Sequence, residues 1–228
     1  MKNPFSALSS GELILWLVSL AAVTVSFIIP EERDYLTLIA SVIGVTALIF
    51  VAKGMVLGQV LTVVFAVFYG IISFFFTYYG EMITYLCMTA PIAVLAVISW
   101  LKNPYGETGE VRVRKITSRD VLLMLSLAAA VTVAFYFILS ALGNANILFS
   151  TLSVTTSFLA SYLTFLRSPY YALAYAANDV VLIVLWVLAS LESPSYFPMI
   201  ICFVAFLVND AYGFFNWQRM KKRQGVGE

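Results

Sequence analysis

Two aspartates lie within long apolar runs, each directly after an asparagine: Asn178-Asp179 and Asn209-Asp210. Ionisable side chains set that deep in apolar sequence are expensive and mark a site that uses them. Around the first pair, Tyr171, Tyr175, Asn178 or Asp179, Leu182 and Trp186 recur at spacings of three and four, the period of one helical face. Around the second, Asn209, Tyr212 and Asn216 do the same. A weaker stripe, Gln59, Thr62, Ala66, Tyr69 and Ser73, lies earlier in the chain, and Tyr85 is a further candidate contact. Aromatic rings interleaved with amides and acids suit a flat, polar and cationic solute, because rings stack on its faces and a carboxylate balances its charge. The competing reading is that these groups tie helices together by interhelical hydrogen bonds. A third reading is catalytic, with Asp179 and Asp210 sharing a proton to activate water as in an intramembrane aspartyl protease. Such proteases resemble a YD…GxGD pattern, whereas both acids here follow asparagine.

The composition says what kind of element must position these residues. Of 228 residues, 62% are hydrophobic and only 11% charged, with a mean hydropathy of +0.96. A soluble domain carries roughly 25% charged residues, so this surface faces hydrocarbon and the chain is an all-α integral membrane protein. There is no histidine, which removes histidine triads and most zinc sites. Cys87 and Cys202 both fall in apolar stretches, which argues against a disulfide framework or a thiolate metal site. No cofactor is expected. A spanning helix needs roughly 20 apolar residues, and eight segments qualify: Leu13–Ile29, Tyr35–Ala52, Met55–Tyr79, Met82–Leu101, Val121–Leu142, Ile147–Leu166, Pro169–Ser190 and Tyr196–Asn216. The first lacks the strong charged head and cleavage site of a signal peptide and is read as retained.

Eight spans put both termini on one side. Twelve of the 13 basic residues fall there: Lys2, Lys53, Lys102, Arg112, Arg114, Lys115, Arg119, Arg167, Arg219, Lys221, Lys222 and Arg223. Only Arg33 falls opposite, beside the loop acids Glu31, Glu32, Asp34, Glu81 and Glu192. The positive-inside rule makes the basic side the cytoplasm, so a multi-pass protein of the cytoplasmic membrane is expected, with both termini inside. Tyr78, Tyr79, Tyr105 and Tyr196 read as interfacial belt residues. The basic tail Arg219–Arg223 reads as a topology anchor, with no nucleic-acid site.

Spans two to four and six to eight form similar triads. Each has a basic hinge after its first helix, Lys53-Gly54 or Arg167-Ser168-Pro169, and each ends on tryptophan, Trp100 or Trp217. Hinge and tryptophan are 47 residues apart in one and 50 in the other. Three helices invert the chain, so a lone fifth helix must restore its direction, giving a 1 + 3 + 1 + 3 order with the binding site between the triads. The expected divisions are an extra helix (1–34), a first bundle (35–102), a loop and linker helix (103–146), a second bundle (147–218) and a basic tail (219–228). Ser153, Ser157 and Ser161 recur every four residues and read as a close-packing stripe. Pro91 marks a kink or hinge in span four.

Several of these runs resemble the PnuC family of vitamin transporters. They are Val51-Ala52-Lys53-Gly54, Tyr79-Gly80-Glu81, Trp100-Leu101-Lys102-Asn103, and Phe206 to Trp217 with its Asn209-Asp210. The resemblance implies a SWEET-like pair of parallel three-helix repeats joined by a linker helix. It also implies import of nicotinamide riboside by facilitated diffusion, with a cytoplasmic kinase trapping the product. Many members carry W-x-x-W-x-x-x-N on span seven; here Tyr171 and Ala174 replace the tryptophans, with Tyr175 alongside, and Asn178 matches the asparagine. Relatives associated with thiamine, riboflavin and other nucleosides keep those solutes as alternatives. The expected partners are that small solute and the bilayer, with a homo-oligomer allowed. An acid at the midplane calls for neutralisation, which a cationic ring supplies. A negative-inside potential helps that cation enter by about 2.3 kcal/mol per 100 mV.

Overall fold

The computed structural model describes residues 4–28, 35–75, 79–144 and 146–226. Lys2, Glu31, Glu32, Arg33, Asp34 and Tyr78 lie outside the described residues. Eight helices are long and apolar enough to cross a membrane: α1 (Ser10–Ile28), α2 (Tyr35–Ala52), α3 (Val56–Phe75), α4 (Tyr79–Leu101), α5 (Ser118–Ala141), α6 (Ile147–Phe165), α7 (Tyr171–Glu192) and α8 (Phe197–Arg223). They match the eight expected spans, with corrected ends. Helix α8 continues through Arg223, so the basic segment Arg219–Arg223 read as a tail is about its last turn and a half. Its lysines and arginine sit where the helix dipole favours cations.

Packing divides the spans into two groups. In the first, α3 touches α2 and α4; in the second, α7 touches α6 and α8. The groups meet through α2 against α8 and α4 against α6. Helix α5 packs on α6, and α1 packs on α2 and α8.

The two hinges are built alike. After α2, Gly54 (φ 71°) turns left-handed, Gly54 N donates to Val51 O and Met55 N to Phe50 O. After α6, Arg167 (φ 58°) does the same, with Arg167 N donating to Thr164 O and Ser168 N to Leu163 O. This is the Schellman cap, which occupies carbonyls that a helix end leaves orphaned. Two tryptophans then close the interface at these same carbonyls. Trp217 Nε1 donates to Val51 O at 2.9 Å and Trp100 Nε1 to Thr164 O at 3.0 Å. Both side chains are fully buried, and their ring centroids lie 5.4 Å apart.

The segment between α4 and α5 is a strap and not a loose linker. Val111 N donates to Gly54 O, Arg114 N to Arg167 O, and Gln224 of the chain end exchanges bonds with Val113 N and Val111 O. Arg223 pairs with Glu110, and Arg114 with Asp120 at 2.7 Å. The basic residues of the described chain gather at this end, called here the basic end.

Helix α4 departs from α geometry at Thr84–Thr89, a π-helical stretch in which Ala90 N donates to Tyr85 O. Pro91 follows at once. Its missing N–H and its ring disfavour the regular ladder just before it, and a π-turn absorbs that misfit. The expected kink is thus a widened turn, and such turns cluster at functional sites.

Helix α1 is held by polar bonds in a place where apolar contact alone would be undirected. Trp16 Nε1 donates to Thr46 Oγ1 at 3.2 Å, and Glu12, only 3% exposed, pairs with Lys53 at 2.9 Å. Glu12 is a buried acid that the sequence reading did not single out, because it sits at the start of the span. Removing one member of a buried pair strands the other. Lys53→Met is therefore expected to cost roughly 2–3 kcal/mol, less than for a fully enclosed pair because Lys53 is partly wetted. Thermal melting in detergent reads this loss, and Glu12→Gln added to Lys53→Met should recover most of it. A Lys53→Met protein melting like the parent would show that the pair holds nothing.

Candidate functional site

Between the two groups of helices lies a chamber with a cavity volume of about 80 Å³. Each helix of both groups contributes: Ala47 and Val51 from α2, Gln59 and Phe65 from α3, Tyr85 and Thr89 from α4, Ser157 from α6, Tyr175, Asn178, Asp179 and Leu182 from α7, and Phe203, Phe206 and Asp210 from α8. A second chamber, with a cavity volume of about 40 Å³, lies toward the far end and shares Tyr85, Ser157, Asn178, Leu182 and Phe203 with the first. The helical stripe on α7 explains the first chamber's polar wall. Residues 175, 178, 179 and 182 fall on one face, and that face looks at the other bundle.

Asp179 and Asp210 face each other across α7 and α8. Both are almost fully buried, at 3% and 2% exposure. Among the described residues, Oδ2 of Asp179 has no hydrogen-bond partner and no lysine or arginine lines either chamber. Two enclosed carboxyls without a protein counter-charge make a site that a cation stabilises. Asn178 accepts from Thr156 Oγ1 at 2.8 Å, which leaves its amide N–H2 as the end available to a solute. Tyr175 bonds Ser161 at 3.1 Å.

Facing the acids is an aromatic wall. Tyr85 meets Tyr69 edge-on with centroids 4.7 Å apart, and Phe65 stacks on Tyr69 at 5.6 Å. Phe65 also meets Tyr85 and Phe206 edge-on. Rings in such arrays hold each other's orientation and leave faces for a planar ligand.

The candidate residues thus separate. Gln59, Tyr85, Tyr175, Asn178, Asp179 and Asp210 meet at the first chamber, and Tyr69 joins Tyr85 at the second. Four others lie elsewhere. Tyr171 is buried below the chamber against Trp217, with centroids 4.9 Å apart. Trp186 packs on Tyr196 near the far end. Asn209 turns to α1, donating to Ser19 Oγ at 2.9 Å, so for this residue the helix-tying reading describes the geometry. Tyr212 donates to Glu12 at 2.7 Å and completes the α1–α8 contact. The reason is angular: Asn209 and Tyr212 share a stripe, but Asp210 is one residue, about 100°, around the helix from Asn209.

Two contributors differ from the sequence reading. Glu81, assigned to a loop, sits in the first turn of α4 and lines the second chamber, where it pairs with the Tyr69 hydroxyl. The signal was present as Glu81, Tyr85 and Thr89 at intervals of four, but the expected span begins at Met82, one residue after the acid. The serine stripe on α6, read as packing, presents Ser153 and Ser157 to the chambers. Among the described residues, no three His, Cys, Asp or Glu side chains group as metal ligands.

Eight spans enclosing a polar, aromatic chamber between two bundles define a multi-pass membrane transporter. The family model described as nicotinamide mononucleotide transporter matches residues 34–219, so the chain belongs to that family, and its relatives place it with the PnuC transporters. It is 25% identical to the nicotinamide riboside transporter PnuC of Neisseria mucosa over 214 residues, 92% of this chain and 81% of that one. It is 23% identical to the nicotinamide riboside transporter PnuC of Haemophilus influenzae, covering 92% and 91% of the two chains. A crystal structure of the vitamin B3 transporter PnuC superposes with a TM-score of 0.81 at 26% identity, covering 95% of this chain and 94% of that one. The matched region leaves out α1.

Proposed function

We propose that the protein imports nicotinamide riboside by facilitated diffusion, with Gln59, Tyr85, Tyr175, Asn178, Asp179 and Asp210 contacting the solute in the first chamber. The observation that carries this is the charge of the lining: acids and no lysine or arginine. A pyridinium ring with a sugar suits it, stacked on Tyr85 and Phe65 with the ring charge toward Asp179. The name of the matching family includes the mononucleotide, whose phosphate would enter this acidic chamber unpaired. Repulsion of that kind costs several kcal/mol in a water-poor site. The riboside is therefore the better fit.

Titrating the purified protein with both compounds tests this. The riboside should bind at least 100-fold more tightly than the mononucleotide, and equal affinity would remove the charge argument. Thiamine, a second ring cation, is the next solute in order, ahead of uncharged riboflavin and deoxynucleosides; the same titration ranks them.

Transport needs no ion partner in this reading, because the membrane potential already drives a cation inward. A cytoplasmic kinase consuming the riboside would keep the gradient inward. The basic end is then cytoplasmic, in the cytoplasmic membrane, with both termini inside. The two bundles are read as parallel repeats joined by α5. The paired Schellman hinges and the reciprocal Trp217–Val51 and Trp100–Thr164 bonds support that reading, as each contact has its counterpart when the bundles are exchanged.

A further inference from the structure

The second chamber is more than an extension of the first. It has its own acid, Glu81, on a different helix from Asp179 and Asp210, and its own aromatic, Tyr69. One carboxyl oxygen of Glu81 is shielded from solvent and has no partner among the described residues, although the Tyr69 hydroxyl pairs with the group. Thr84 and Ser153 add hydroxyls to the same walls. A carboxylate whose only role was to tie α4 to α3 would have both oxygens bonded to protein or would turn the free one to water. Here the free oxygen is kept in an enclosed space that also presents two tyrosine rings, with no basic side chain among the described lining residues.

We infer that Glu81 and Tyr69 form a second binding subsite for an organic ring cation, at the mouth of the path to Asp179. This rests on the reading of the protein as a transporter of a cationic solute. Tyr85, Ser157 and Asn178 line both chambers, so a cation that enters beside Glu81 passes these residues to reach Asp179. Two acidic stations in series let each step exchange one carboxylate contact for another, so the ring charge is never without a counter-charge along the path.

The test uses the full chain in proteoliposomes, with nicotinamide riboside and thiamine as cations and uridine as the uncharged comparison. Glu81→Gln keeps the shape of the side chain and the acceptor for Tyr69 and removes only the charge. It should raise KM for the transported cation about tenfold, with the maximal rate held within about twofold. Equilibrium affinity at the first chamber should change less than about threefold, and any uridine uptake should be unaffected. Glu81→Asp, which restores the charge, should recover most of the KM. An unchanged KM in Glu81→Gln overturns the subsite, and so does a loss that Glu81→Asp fails to relieve or that falls equally on uridine. If the parent takes up thiamine and not nicotinamide riboside, only the proposed substrate fails, and Glu81 is then judged with thiamine. A parent that takes up neither cation overturns both.

Discussion

Asp179→Asn lowers the affinity for nicotinamide riboside by roughly 30- to 100-fold, about 2–3 kcal/mol. The substitution keeps the volume of the side chain and takes away an almost wholly enclosed carboxyl, one oxygen of which has no partner among the described residues. In the free protein the Asp179 and Asp210 carboxyls are hydrogen-bonded to each other, a bond that the amide of Asp179→Asn can keep, so the variant should melt close to the parent. Affinity falls while stability holds, and this separates a binding group from a structural one. Isothermal titration of the detergent-solubilised protein gives the affinity. Uncharged nucleosides should bind parent and variant within about threefold of each other. An unchanged affinity for the riboside would remove Asp179 from the mechanism, and a large fall in melting temperature would return it to the helix-tying role.

The second large effect concerns stability. Trp217→Ala should cost about 3–5 kcal/mol. The side chain is fully buried, its N–H holds the carbonyl at the end of α2, and its ring touches both Trp100 and Tyr171. The loss in melting temperature is roughly 10 °C, taking a few degrees per kcal/mol for a chain of this size. Trp217→Phe keeps most of the packing and gives up the hydrogen bond, so it should cost nearer 1 kcal/mol. Trp100→Ala should cost about as much as Trp217→Ala, and the double variant less than their sum, because the two rings share a contact. A Trp217→Ala protein that melts within about 2 °C of the parent would show that the tryptophans are not what closes this end.

The span count was legible because hydrocarbon demands long apolar helices and the basic residues mark alternate ends, so each error in counting would scatter the charges. The α7 face was legible for a related reason: Tyr175, Asn178 and Asp179 recur at helical spacing in a segment with few other polar groups. What failed was direction across space. Asn209 and Asp210 are neighbours in sequence, yet one serves α1 and the other the chamber, and nothing in a single helix says which neighbour lies on which side. Glu81 was lost to a boundary, since the expected span begins at Met82 whereas α4 begins at Tyr79 and takes the acid into its first turn. The serines on α6 were misjudged because a small-residue stripe lets a helix approach closely whether its neighbour is a backbone or a solute. The Schellman hinges could have been anticipated at Gly54 but not at Arg167, where a non-glycine residue takes the left-handed turn.

The strap between α4 and α5 sets a limit on how the molecule can move. Its attachment to the first hinge is at Val111 and to the second at Arg114. Three residues of chain reach about 10 Å when fully extended. The hinges can therefore stand no farther apart than this reach allows before a backbone hydrogen bond breaks. Any wider opening of the basic end must detach the strap from one hinge, which makes that opening a discrete step with a barrier of its own rather than a gradual spreading. The length of a short surface segment, and not the flexibility of the spanning helices, then fixes the widest aperture available before that step.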